Sequence, residues 1–254
     1  VQKELLGQAH ALWLAREHVH GPVYIIFVDT IFDTDLSGIG QMDADGVAFV
    51  KEVEDPRRFG IAVVGEDGYI TRLVEKPATM EHRLAVIGMY YLKEGGALID
   101  AIKELMARDI RTKGEFYLVD ALQIMIDRGA RLLPRVVEVW EDCGTPEAVL
   151  QTNRYLLEHG EANNGTQARL VNATVVAPSY VAPTAHVENA VVGPYASLAD
   201  GVRVINAVVC DTIADEGSVI EDVVLVKSLV GRKAHVRSRR LSLNVGDYAT
   251  VDVG

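Results

Sequence analysis

Two aspartates, Asp29 and Asp142, each close a strand-like stretch: Val23-Tyr24-Ile25-Ile26-Phe27-Val28 precedes the first, and the β-rich segment Arg131 to Trp140 precedes the second. Acids at the carboxyl ends of buried strands, drawn from distant parts of a chain, can share a hard cation such as Mg²⁺. That ion takes one or two carboxylates and fills its shell with water and phosphate oxygens. Aspartates at loop edges also serve simply as caps, so both readings stand on the residues alone. Glu75-Lys76-Pro77 ends another strand-like segment. A lysine fixed by a following proline can hold a phosphate as a point charge, and the adjacent glutamate can accept hydrogen bonds from sugar hydroxyls; a solvated strand edge is the alternative. Gly60 after Phe59, and Gly88 within Val86-Ile87-Gly88-Met89-Tyr90, lie in or beside strands. There a missing side chain admits a close backbone or ligand, or marks a bulge. Gln2 and Gly7 precede a helix whose first N–H groups face outward.

The elements that must position these groups alternate in type up to about Tyr155, the pattern of an α/β layer fold with a largely parallel sheet. Helical spacing runs over Gln8 to Glu17, Ala97 to Ala107 and Phe116 to Asp127. The run Val23 to Val28 reads as a strand buried on both faces, and Leu84 to Leu92 as another. Ile61 to Val64 and Tyr69 to Lys76 flank Gly65-Glu66-Asp67-Gly68, a hairpin signature. Thr145-Pro146-Glu147 is a helix start, with a capping hydroxyl, a proline that sacrifices no bond and an acid at the positive end of the dipole; the helix should reach Glu158. The expected domains are 1–158, a linker 159–170, and 171–254.

After about Leu170 the period changes. Val175, Val181 and Val187 are six apart, as are Val192, Leu198 and Val204, then Ile213, Val219 and Leu225, and the Asn-Ala pairs at 172, 189 and 206 recur every 17 residues. A hexapeptide period is the signature of a parallel β-helix, in which one small aliphatic residue per short strand stacks inward. The register slips between Val209 and Ile213, which reads as an irregular corner.

Composition narrows the function classes. The 254 residues carry 25 Lys+Arg against 36 Asp+Glu, a net charge of -11, which repels a phosphate polymer and excludes nucleic-acid polymers as partners. Cys143 and Cys210 are far apart and have no metal-ligand spacing, so a reducing, cytoplasmic compartment is expected. The longest apolar run falls far short of the ~20 residues of a membrane helix.

Taken in order, Val1-Gln2 with Gly7-Gln8-Ala9-His10-Ala11, Phe27-Val28-Asp29, Phe59-Gly60-Ile61, Val74-Glu75-Lys76-Pro77, Val86 to Tyr90, Lys113-Gly114-Glu115 and Trp140-Glu141-Asp142-Cys143-Gly144-Thr145 resemble the sugar-1-phosphate nucleotidylyltransferases. With the hexapeptide tail, the likeness is to the long-form glucose-1-phosphate thymidylyltransferases and covers essentially the whole chain. The resemblance implies a Rossmann-like, mostly parallel α/β nucleotidyltransferase domain followed by a left-handed β-helix. It implies nucleotidyl transfer from a nucleoside triphosphate, dTTP or UTP, to a sugar-1-phosphate. By the same resemblance Gln2 and Gly7 contact a pyrimidine base, Asp29 lies by the nucleotide, and Asp29 and Asp142 hold Mg²⁺. Gly60, Glu75, Val86 and Tyr90 line the sugar site, Lys76 binds the sugar phosphate, and Glu115 has a structural role at a helix start. Members of the family open with a strand and a Gly-x-Gly-Thr/Ser-Arg loop that cradles the nucleotide phosphates; an N-terminal portion is therefore expected ahead of Val1, and the residues from Val1 onward are expected to be inactive without it. The alternatives are a non-catalytic regulatory or assembly subunit, and a hexapeptide-repeat acyltransferase with His186 or His235 as general base. The β-helix is expected to mediate homo-oligomerisation.

Overall fold

The computed structural model describes residues 1–238; the stretch 239–254, assigned to the β-helix by the sequence pattern, lies outside the described residues. The chain forms two compact units that divide between Asp142 and Cys143.

The first unit runs α1 (Gln8–Leu14), β1 (Val23–Ile26), β2 (Thr30–Asp33), β3 (Gly46–Glu52), β4 (Gly60–Val64), β5 (Ile70–Glu75), β6 (Leu84–Leu92), α2 (Gly95–Ala107), α3 (Leu118–Asp127), β7 (Leu132–Val136) and β8 (Val139–Asp142). Its main sheet has the order β5-β4-β6-β3-β7, with β1 also paired to β6, while β2 and β8 form a separate ribbon. Side chains alternate across β3 and β6 with the strand period of two. Ala48, Val50, Val86, Tyr90 and Leu92 join the core under the helices. Val47, Phe49, Ile87, Met89 and Tyr91 join a second core with Ile39 and Val137. Covering both faces explains why β6 is apolar throughout.

The α/β layer architecture agrees with the expectation, but the expected largely parallel sheet is not observed: among the described residues its pairings are mostly antiparallel. β3 and β7 pair in parallel, whereas β1 with β6, β3 with β6, β4 with β5 and β4 with β6 pair antiparallel. An unbroken apolar run reports burial of both faces, and burial is silent about the direction of the neighbouring strand. β1 departs further: Ile25 is buried, but Tyr24 and Ile26 are 44% and 51% exposed, because among the described residues β1 pairs with β6 alone. The segment Arg131 to Trp140 divides into β7 and β8, and only β7 stays in the main sheet.

In the second unit, helix α4 (Pro146–Leu156) starts as its sequence dictates, with the Thr145 hydroxyl accepting the Ala148 N–H at 3.2 Å. It packs on a solenoid of parallel strands. One solenoid face stacks strands 169–171, 186–188, 203–205, 219–221 and 235–237. Val181, Val187, Val192, Leu198, Val204, Val209, Ala214 and Ile220 are fully buried inside it. The inward residues after the slip are therefore Ala214 and Ile220, one position beyond the expected Ile213 and Val219. Partners are 17 residues apart in the early coils, as in His186 with Arg203, and 16 apart later, as in Arg203 with Val219. Corners at Ala177-Pro178 and Gly193-Pro194 give way to tighter ones at Asp211 and Lys227, both with positive φ. The Asn-Ala repeat has a local cause as well: Asn172, Asn189 and Asn206 occupy left-handed corners (φ 47 to 50), which asparagine tolerates better than most residues.

Candidate active site

The site of the first unit is built around the turn that enters β4. Asp55 accepts the Arg57 N–H at 3.1 Å and so shapes the turn Pro56–Arg58, which delivers Arg58, Phe59 and Gly60 in succession. Gly60 pairs with Glu75 across the β4–β5 hairpin. A Cβ on Gly60 would come within 2.8 Å of Val119 and 2.9 Å of both Glu75 and Val86, so only glycine admits this approach. The carbonyl of Phe59 accepts the Lys76 N–H at 2.9 Å and holds Lys76 in the left-handed region (φ 46) just before Pro77. Glu75, Lys76, Gly60 and Val86 thus converge.

Burial raises the Glu75 carboxyl to about 7, with Asp120 adding to the rise and the charges of Lys76 and Lys113 opposing it. The Lys76 ammonium lies 3.9 Å from Glu75 and 2.7 Å from the Tyr117 hydroxyl, and 4.7 Å from the centroid of the Tyr117 ring. Its pKa is raised, first by the hydrogen bond to Tyr117. Tyr90 lies beneath this group instead of on its surface. It is 1% exposed and stacked obliquely on Phe27 at 6.3 Å, and burial, with the Glu75 charge, pushes its hydroxyl up.

Asp29 and Asp142 come to one end of the β2–β8 ribbon. Thr30 is the direct antiparallel partner of Asp142, and Asp29 immediately precedes Thr30. Asp29 is exposed and Asp142 half-buried, with the Arg58 guanidinium 3.9 Å from the Asp142 carboxylate. The ribbon is pinned to the sheet where the Thr30 hydroxyl donates to the Ile87 carbonyl at 3.2 Å, and Trp140 meets Phe59 edge to face at 5.1 Å. Gln2 and Gly7 are likewise adjacent, the Gln2 amide donating to the Gly7 carbonyl at 3.1 Å. Gly7 (φ 103) presses on Phe116, where an added Cβ would stand 2.5 Å from the carbonyl oxygen. Glu115 exchanges backbone hydrogen bonds with Thr112 in the turn ahead of α3.

Three polar neighbours escaped the sequence reading, Arg58, Tyr117 and Asp120, and Lys113 was noted only as part of a motif. Lys113-Gly114-Glu115 marked the right turn, but Tyr117 finds its partner 41 residues away and no local spacing announces it. On the solenoid, His186 lies 3.1 Å from Glu188 and His235 3.2 Å from Glu221, each on a strand of the same face.

The first unit is thus a mixed α/β domain with two acids at one end of a ribbon and a Glu-Lys pair at a hairpin edge. Residues 1–159 match the nucleotidyl transferase family, to which this chain belongs. Glucose-1-phosphate thymidylyltransferase of Streptomyces antibioticus is 25% identical over 99% of this chain and 78% of its own length. The low-salt glycan biosynthesis nucleotidyltransferase Agl11 of Haloferax volcanii is 36% identical over 62% of this chain and 44% of its own length. The crystal structure of a nucleoside-diphosphate-sugar pyrophosphorylase from Vibrio cholerae superposes with a TM-score of 0.52, covering 59% of this chain and 66% of that one at 19% identity, which speaks to the fold. No helix among the described residues is long and apolar enough to cross a membrane.

Proposed function

We propose that the protein transfers a nucleotidyl group from a nucleoside triphosphate, dTTP or UTP, to a sugar-1-phosphate, releasing pyrophosphate and an NDP-sugar. The observation that carries this reading is the segment Arg58-Phe59-Gly60, which joins both halves of the site. Arg58 faces Asp142, the Phe59 carbonyl fixes Lys76, and Gly60 abuts Glu75. The residues assigned here to sugar phosphate and to metal-bound nucleotide thereby neighbour three consecutive residues.

In the reaction an oxygen of the sugar phosphate attacks the α-phosphorus in line. A new P–O bond forms, the bond to the bridging oxygen breaks, and pyrophosphate leaves with the electron pair. The nucleophile is already an anion, so the protein's work is alignment and charge neutralisation, with no strong base required. Lys76 neutralises the incoming phosphate, and Glu75, poised near neutrality, accepts or donates a hydrogen bond to a sugar hydroxyl. Gln2 and the Gly7 backbone read the edge of the base. Tyr90 supports the sugar pocket from below.

Asp29 and Asp142 fit Mg²⁺, because an exposed carboxylate and a half-buried one at the same ribbon end suit a hard cation that keeps waters and takes substrate phosphate. Among the described residues no three His, Cys, Asp or Glu gather into an all-protein cage, which Mg²⁺ does not need. When bound, the ion would offset repulsion between the two anionic reactants.

The solenoid is assigned to self-association. Val191, Val208 and Val224 form a column on one face and grow more exposed along it, to 67% at Val224. A pyrophosphate-release assay on the full-length protein, across nucleoside triphosphates and sugar-1-phosphates, tests the activity. Release that requires both substrates is expected. Ligand binding without release would favour a regulatory subunit, and acetyl-CoA turnover without nucleotide would favour the acyltransferase.

A further inference from the structure

We propose that Tyr117 is a positioning residue for Lys76, holding its ammonium short of direct hydrogen-bond contact with Glu75 and aimed toward the incoming sugar phosphate. The inference rests on Lys76 being the phosphate ligand, as proposed above.

Lys76 has two competing partners. The Glu75 carboxylate is the stronger one, since an ion pair in a half-enclosed site attracts more than a neutral phenol does. Yet the ammonium stands 3.9 Å from Glu75 and 2.7 Å from the Tyr117 hydroxyl, with the aromatic face also within cation–π range. Tyr117 can win this competition because it is packed in place. It is 7% exposed, and it immediately precedes the first residue of α3, which packs on β5. The Lys76 backbone is constrained as well, by its left-handed φ, the bond to Phe59 and the following Pro77. A long flexible side chain is thus clamped near both ends, and the rotamer freedom that phosphate binding would otherwise remove is already spent. A phenol also keeps the ammonium charged without neutralising it, which a carboxylate at the same position would not.

Without the hydroxyl, the ammonium is free to fold back onto Glu75. Two effects follow together: phosphate loses a pre-aimed cation, and Glu75, now nearer a positive charge, titrates at lower pH. A role in packing alone predicts neither effect for Tyr117→Phe, which keeps the ring.

The test measures glucose-1-phosphate binding by calorimetry across pH 5.5–8.5 for the full-length wild type, Lys76→Gln, Tyr117→Phe and Tyr117→Leu. Tyr117→Phe is expected to weaken binding about tenfold, the scale of one hydrogen bond to a charged group, and to shift the pH midpoint of binding downward. Tyr117→Leu should weaken binding further. Wild-type affinity and an unmoved midpoint in Tyr117→Phe would overturn the positioning role, even if Tyr117→Leu fails to fold. Unchanged binding in Lys76→Gln would instead overturn the phosphate assignment on which it rests.

Discussion

Glu75 concentrates the physical tension of the site in one side chain. Its carboxyl is enclosed near Gly60 and Val86 and titrates at about 7 in place of 4.5, chiefly because burial disfavours the charge. Between those values the unfolded chain is ionised while the native one still holds its proton. Stability that is fully present below pH 4.5 is therefore lost as pH rises to about 7, by at most about 3 kcal/mol. Glu75→Gln should remove this contribution, so that the difference in thermal unfolding between pH 5 and pH 8 shrinks while sugar-phosphate binding weakens; an unchanged pH dependence would remove Glu75 as a source. Gly60→Ala would force a methyl group against Val119, Val86 and Glu75 and should cost about 1–3 kcal/mol in urea unfolding. The Glu75-Lys76-Pro77 and Gly60 signals were legible because they are local in sequence. Tyr117 and Asp120 were not, because what makes them part of the site is enclosure by segments that fold in from elsewhere.

At the scale of elements, the join between α4 and the solenoid rests on a fork. The Arg154 guanidinium donates through Nε to Oδ1 of Asp211 at 2.7 Å and through Nη2 to the other oxygen, and Asp211 is buried. Arg154→Ala would leave that carboxylate unpaired and should cost about 3 kcal/mol, near the low end for a buried pair because the arginine is partly exposed. Arg154→Met with Asp211→Asn should recover most of the loss in chemical denaturation; no recovery would mean that packing, not charge, makes the join. The start of α4 could be read from Thr145-Pro146-Glu147, whose bonds are made within one turn. Its docking partner could not, since an amphipathic face is the same whether sheet or solenoid covers it. The hexapeptide period gave the solenoid, and the one-residue error after Val209 arose because coil length changes from 17 to 16 where the corner tightens at Asp211. Strand direction in the sheet was likewise beyond the reach of apolar patterning.

For the whole molecule, the valine column of the solenoid and the two acids of the transferase unit make separate predictions. Val208→Lys with Val224→Lys should reduce subunit number in light scattering and leave the melting temperature nearly unchanged, since both side chains face outward. An unaltered mass would assign assembly to another surface. We propose that Asp29 and Asp142, brought to one end of the β2–β8 ribbon, hold the metal that lets two anions react. The most direct test is the Mg²⁺-dependent rate of pyrophosphate release by the full-length protein, compared between wild type, Asp29→Asn and Asp142→Asn with nucleotide and sugar-1-phosphate saturating. The expected result is a loss of at least about a hundredfold in each variant, with thermal unfolding unchanged. Near-normal turnover in Asp142→Asn would contradict it.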